Sequence, residues 1–76
     1  MNLYSIYDSV TGKFNQPFTA INDNSAKRSF ERLAGDASSD IHFRPVDYTL
    51  YALGEMDEQT GVLTAAQADI TPPLSS

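Results

Sequence analysis

A turn written twice constrains this chain more than any other feature. Asp8-Ser9-Val10-Thr11-Gly12 and Asp57-Glu58-Gln59-Thr60-Gly61 share the pattern Asp-x-x-Thr-Gly. An aspartate at the first position can accept hydrogen bonds from backbone amides two or three residues on. A glycine at the last position supplies the positive φ that lets a hairpin rejoin its ladder. Each copy lies between two short stretches of strand character. Two hairpins of one design are therefore expected, with a helix between them.

The flanking residues extend this reading. Leu3 to Asp8 reads as a strand through Tyr4, Ile6 and Tyr7. Phe14 to Ala20 reads as a second, with Phe14, Phe18 and Ala20 on one face by the period of two. Pro17 has no amide hydrogen and places that strand at a sheet edge. Asn22-Asp23-Asn24 offers N-caps for a helix over 25–34, and Gly35 offers its stop. Ala26, Phe30, Leu33 and Ala34 fall within roughly 100° of arc as its core-facing stripe, while Lys27, Arg28, Glu31 and Arg32 face away. Residues 36–46 form a polar connection with a helical turn near Ser39 to Phe43, ended by Pro45. Asp47 to Met56 reads as a central strand: Tyr48, Leu50 and Ala52 point one way, Tyr51 and Leu53 the other. Val62 to Ala66 reads as the fourth strand. The expected fold is α+β: ββαββ, a four-stranded antiparallel sheet with one helix on one face. It forms a single domain over 1–66, followed by a disordered tail over 67–76.

One helix covers one face of such a sheet. The uncovered face is expected to carry some of Tyr4, Ile6, Tyr51 and Leu53. Either the connection or the tail folds over it, or a second copy of the chain covers it. A chain of 76 residues buries only about 60% of its unfolded surface. It has no cysteine and one histidine, so disulfides and thiolate metal sites are excluded and a zinc site is disfavoured. Self-association is the stabilising device left open.

The charge balance narrows the function classes. Ten acidic and five basic residues give a net charge of −5, which argues against affinity built by blanketing phosphates. No stretch is long or apolar enough to span a membrane, and the N-terminus lacks the regions of a signal peptide. There is no phosphate-cradling glycine loop and no nucleophile elbow. His42 stands alone between Ile41 and Phe43 and reads as an ordinary loop histidine. Glu55, Asp57 and Glu58 could hold a hard cation, yet Asp57 is better explained by its turn, because Asp8 repeats it without acidic neighbours. Lys27, Arg28 and Arg32 on the helix, with Arg44 beyond it, read either as a phosphate-binding patch or as a solvated face. Tyr4, Tyr7, Tyr48 and Tyr51 could stack on bases, or pack in the core or across a dimer interface. No cofactor is expected.

A longer element carries a resemblance. Tyr48-Thr49-Leu50-Tyr51-Ala52-Leu53-Gly54-Glu55-Met56-Asp57 followed by Thr60-Gly61, together with Leu3-Tyr4-Ser5-Ile6-Tyr7-Asp8, Pro17-Phe18, Ala26, Phe30 and Pro45, resembles the small non-structural protein of gokushoviruses. These are icosahedral bacteriophages of the microvirus family with single-stranded DNA genomes. The similarity covers roughly residues 3 to 64, and Val46 departs from the acidic residue usual after the proline. The resemblance implies a protein absent from the mature virion that works in the host cytoplasm. There it would serve the change from double-stranded replicative DNA to single-stranded progeny synthesis, with DNA binding. It brings no catalytic residues, so a non-catalytic accessory role is expected. Single-stranded DNA, a second copy of the chain, and phage or host replication proteins are the candidate partners. A small assembly or scaffold protein is the rival reading.

Overall fold

The computed structural model describes residues 1–73. Its elements run β1 (Asn2–Asp8), β2 (Lys13–Phe14), β3 (Phe18–Ala20), α1 (Asp23–Gly35), α2 (Asp40–Phe43), a 3-10 turn (Pro45–Asp47), β4 (Tyr48–Met56) and β5 (Leu63–Asp69). All strand pairs are antiparallel, in the order β2-β1-β4-β5, with β3 also pairing with β1. The fold is thus α+β with one main helix. The second strand of the expected ββαββ order is two segments, β2 and β3, and α2 falls where a helical turn is expected, near Ser39 to Phe43.

Both turns have one design. Asp8 Oδ1 accepts from Val10 N–H at 2.9 Å and Thr11 N–H at 3.4 Å. Asp57 Oδ1 accepts from Gln59 N–H at 2.8 Å and Thr60 N–H at 3.3 Å. Gly12 and Gly61 close the turns at φ 72° and 75°, each donating its N–H to the carbonyl of the leading aspartate.

The break after Phe14 has a structural consequence. Tyr7 pairs with Phe14 and Tyr4 with Phe18. The strand opposite β1 therefore spends four residues where β1 spends three, and one extra residue flips every later side chain to the other face. Phe18 and Ala20 pack against the core as expected, but Phe14 packs with Tyr7 and Tyr51 on the opposite face. Ser5 holds the break, its buried hydroxyl donating to the Asn15 carbonyl at 2.6 Å while Asn15 N–H donates to Ile6.

The core joins Tyr4, Ile6 and Leu50 of the sheet to Ala26 and Phe30 of α1 and Ile41 of α2. Of the four candidates for the uncovered face, the register places Tyr4 and Ile6 in the core instead. They pair with Ala52 and Leu50, which face α1, whereas Tyr51 pairs with Ser5 of the opposite parity. Tyr4 is fully buried, and its hydroxyl donates to Asp23 Oδ1 at 2.7 Å, fastening the start of α1 to the middle of β1. Asn22 caps that helix, accepting from Ser25 N–H at 2.9 Å. The helix begins two residues earlier than expected. Gly35 is its last residue and does not take positive φ; Asp36 N–H closes the end on the Leu33 carbonyl at 3.1 Å. Leu33, expected in the stripe, is 39% exposed.

The expected tail is corrected in part. β5 runs on through Gln67, Ala68 and Asp69. Ile70 N–H then donates to the Leu50 carbonyl at 2.9 Å, Leu50 N–H donates to Thr71 Oγ1 at 2.9 Å, and Pro72 is buried. The Ile70 N–H and the Thr71 hydroxyl thus have partners on β4, which the proline pair just beyond them does not prevent. The tail's last residues, 74–76, lie outside the described residues.

Gly54 is the tightest backbone position. It takes φ 148°, and a Cβ there would fall on the Thr64 carbonyl oxygen and 3.1 Å from Ala65 Cα. The ladders on both sides shift register beside it, with Leu53 the unpaired extra residue toward β1. Gly54→Ala is expected to cost about 3 kcal/mol through strained φ and collision with rigid backbone. Gly61→Ala, whose Cβ would meet nothing, should cost only about 1 kcal/mol. Urea unfolding of both variants checks the contrast. Tyr4→Phe should cost a further modest amount, about 1 kcal/mol, by removing the hydroxyl bond to Asp23.

Candidate functional site

The sheet face opposite α1 carries an aromatic cluster. Tyr7 comes from β1, Phe14 from β2 and Tyr51 from β4. Ring centroids lie 5.0 Å apart for Tyr7 and Phe14, 5.4 Å for Phe14 and Tyr51, and 6.4 Å for Tyr7 and Tyr51. The last two contacts are edge-on, the arrangement that aromatic quadrupoles favour. Phe14 is 44% exposed, and both tyrosines are half-buried. The cluster follows from local chemistry. Tyr7 faces Phe14 across one ladder, and Tyr51 lies on β4 two residues from Thr49, the partner of Tyr7 on the other ladder. Of the four tyrosines considered as base-stacking residues, Tyr7 and Tyr51 are on this face. Tyr4 is in the core and Tyr48 packs against it. Burial raises the phenol pKa of both core-side tyrosines. The bond to Asp23 adds to the effect for Tyr4, as do the carboxylates of Asp8, Asp40 and Asp47 for Tyr48.

The other expected interface residues divide. Tyr51 is on the open face and Leu53 is the half-buried extra residue of the β4 bulge, while Tyr4 and Ile6 are sealed beneath α1. Sequence reasoning missed Phe14 as a member of the open face. The signal was present in Asn15-Gln16-Pro17, a break long enough to add a residue and reverse the side-chain parity.

The basic residues do not gather around the aromatic cluster. Arg28 and Arg32 are exposed on α1 and Lys27 is half-buried there, on the side of the sheet away from the three rings. Arg44 lies elsewhere, just before the 3-10 turn, with its Nε 3.4 Å from Asp47 Oδ2. Lys13 pairs with Asp8, which also pairs with Tyr48. Lys13 and Arg44 therefore sit at the end of the sheet that holds the cluster, and the four cations named from sequence form no single patch.

A cleft of about 210 Å³ opens between the start of α1 and β5, lined by Asn2, Tyr4, Asp23, Glu55, Thr64 and Ala66 among others. Its carboxylates come from separate elements. The acidic run near residue 57 is dispersed: Glu55 lines this cleft, Asp57 caps its turn, and Glu58 lies by Met1 and Ile21. His42 Nδ1 is 2.9 Å from the Ala34 carbonyl and ties α2 to the end of α1. Among the described residues no helix is long and apolar enough to cross a membrane.

An antiparallel sheet with one helix-covered face and one open aromatic face makes this a small α+β protein. The chain belongs to the phage ORF5 protein family, whose model matches residues 1–72. No curated protein and no solved structure matches it.

At the rim of the open face, Asp69 pairs across the ladder with Tyr51. Its Oδ1 accepts from Thr71 N–H at 2.9 Å and Thr71 Oγ1 at 2.7 Å, and these bonds hold its pKa below the ordinary 3.8. A depressed folded value means the stabilisation is complete above the unfolded value and lost as pH falls through the folded one. Asp69→Asn should therefore narrow the difference in urea midpoint between neutral pH and strongly acid solution. An unchanged difference would show that these two bonds do not contribute.

Proposed function

We propose that this phage protein is a non-catalytic accessory factor of viral DNA replication that binds single-stranded DNA on its open sheet face. The observation that carries this reading is the cluster of Tyr7, Phe14 and Tyr51 on that face. Every base has a π-face, so such a platform accepts a single strand without reading its sequence, at about 1–3 kcal/mol per stacked base. Lys13 and Arg44 add positive charge at the same end of the sheet, although Lys13, next to Phe14 on its strand, has its side chain on the helix-covered face. Family membership supports the phage context. The resemblance to the gokushovirus non-structural protein supports the step, the switch from double-stranded replicative DNA to single-stranded genome synthesis in the host cytoplasm.

A protein adaptor is the second reading. The net charge of −5 and the two carboxylates of the cleft, Asp23 and Glu55, favour it. A basic surface on the phage nickase or on a host replication protein is the partner this chemistry suits.

Anisotropy of a labelled oligothymidine, titrated at several salt concentrations, separates the readings. Binding by stacking gives a shallow log–log salt slope, about −0.7 for each phosphate contacted. Phe14→Ala with Tyr51→Ala should weaken binding at least tenfold and leave the far-ultraviolet circular dichroism unchanged. Arg28→Ala with Arg32→Ala should change it little. The reverse pattern would move the DNA to the helix face, and no binding at low salt would leave the adaptor.

A further inference from the structure

The two edges of the sheet are built differently. One consists of β2 and β3, two and three residues long. Pro17 interrupts it and Lys13 adds a charge, and both features discourage pairing with another chain. The other edge is β5, seven residues long and exposed throughout. From Gly61 to Ala68 it has neither charge nor proline, and Val62 and Leu63 are 60% and 63% exposed. Among the described residues β5 pairs with β4 alone.

We propose that β5 pairs antiparallel with β5 of a second copy about a two-fold axis, joining the two sheets into one. Two observations select a second copy as the occupant. A two-fold contact closes both open edges at once and leaves only the short, interrupted ones at the periphery. Each chain carries −5, so most self-docking surfaces bring acid against acid. Here the only charged residue of the strand is Asp69 at its end, and antiparallel pairing sends the two copies of Asp69 to opposite ends of the ribbon. A two-fold axis perpendicular to the sheet keeps both α1 helices on one side and places both aromatic clusters on the other. One extended strand of nucleic acid could then lie across both.

Sedimentation of the full chain without nucleic acid tests the proposal independently of DNA binding. The expected mass is twice 8.3 kDa, and Ala66→Lys should reduce it to one chain while preserving the circular dichroism. The absence of native cysteine allows a second readout that does not depend on that variant folding. Among single cysteines placed from Thr64 to Ala68, the one that meets its own copy at the two-fold axis should form cross-linked dimers on mild oxidation, and Val10→Cys in the first turn should not. A native chain that stays monomeric up to high micromolar concentration would overturn the proposal. So would a folded Ala66→Lys dimer, or a dimer whose β5 cysteines fail to cross-link in preference to Val10→Cys.

Discussion

A helix about 10 Å across covers about two strands spaced about 4.8 Å apart, and α1 must shelter a wider sheet than that. The rest of the structure answers this shortage. α1 lays Ala26 and Phe30 over the pair at the centre, β1 and β4, where Tyr4, Ile6 and Leu50 meet them. α2 contributes Ile41, and the segment after β5 returns Ile70 to the same core. The Tyr4 hydroxyl bond to Asp23 fixes where the helix begins over the sheet. That bond lets a large side chain be fully buried without an unpaired polar group.

The same shortage leaves one face and one edge without cover, and these are where function is proposed. The open face is aromatic because two registers agree there. Tyr7 faces Phe14 on one ladder, and Tyr51 reaches them from β4. Had the strand continued unbroken from Phe14 to Phe18, both phenylalanines would lie on one side. The residue added between them sends Phe18 into the core and keeps Phe14 out of it. A bulge held by the Ser5 hydroxyl thus sorts aromatic residues between packing and exposure. β5 is left uncovered because α1 is too narrow to reach it, and the cleft beside Glu55 and Ala66 occupies the space between them.

Much of this was legible in the sequence. The repeated Asp-x-x-Thr-Gly turn, the cap at Asn22 to Asn24, the stripe through Ala26 and Phe30, and the strand from Tyr48 to Met56 all report local chemistry. A carboxylate caps nearby amides, glycine relieves positive φ, and periodicity marks a buried face, and none of these needs a distant partner. The parity of Leu50 and Ala52 against Tyr51 was also readable within one strand.

What the tertiary structure alone decided is how those locally determined pieces face one another. Which side of β1 lies under α1 depends on pairing with β4, more than 40 residues away, and this is why Tyr4 and Ile6 lie in the core and not beside Tyr51. The extra residues at Leu53 and in the break before Pro17 change side-chain parity, and a pattern of period two cannot register an insertion whose partner strand is unknown. The path of residues 67–73 likewise depends on Leu50, whose backbone groups receive Ile70 and Thr71. Sequence alone determined the elements and their turns, because those are short-range. Faces, register and uncovered surfaces were settled by long-range pairing, because a strand acquires an inside and an outside only when its neighbour is in place.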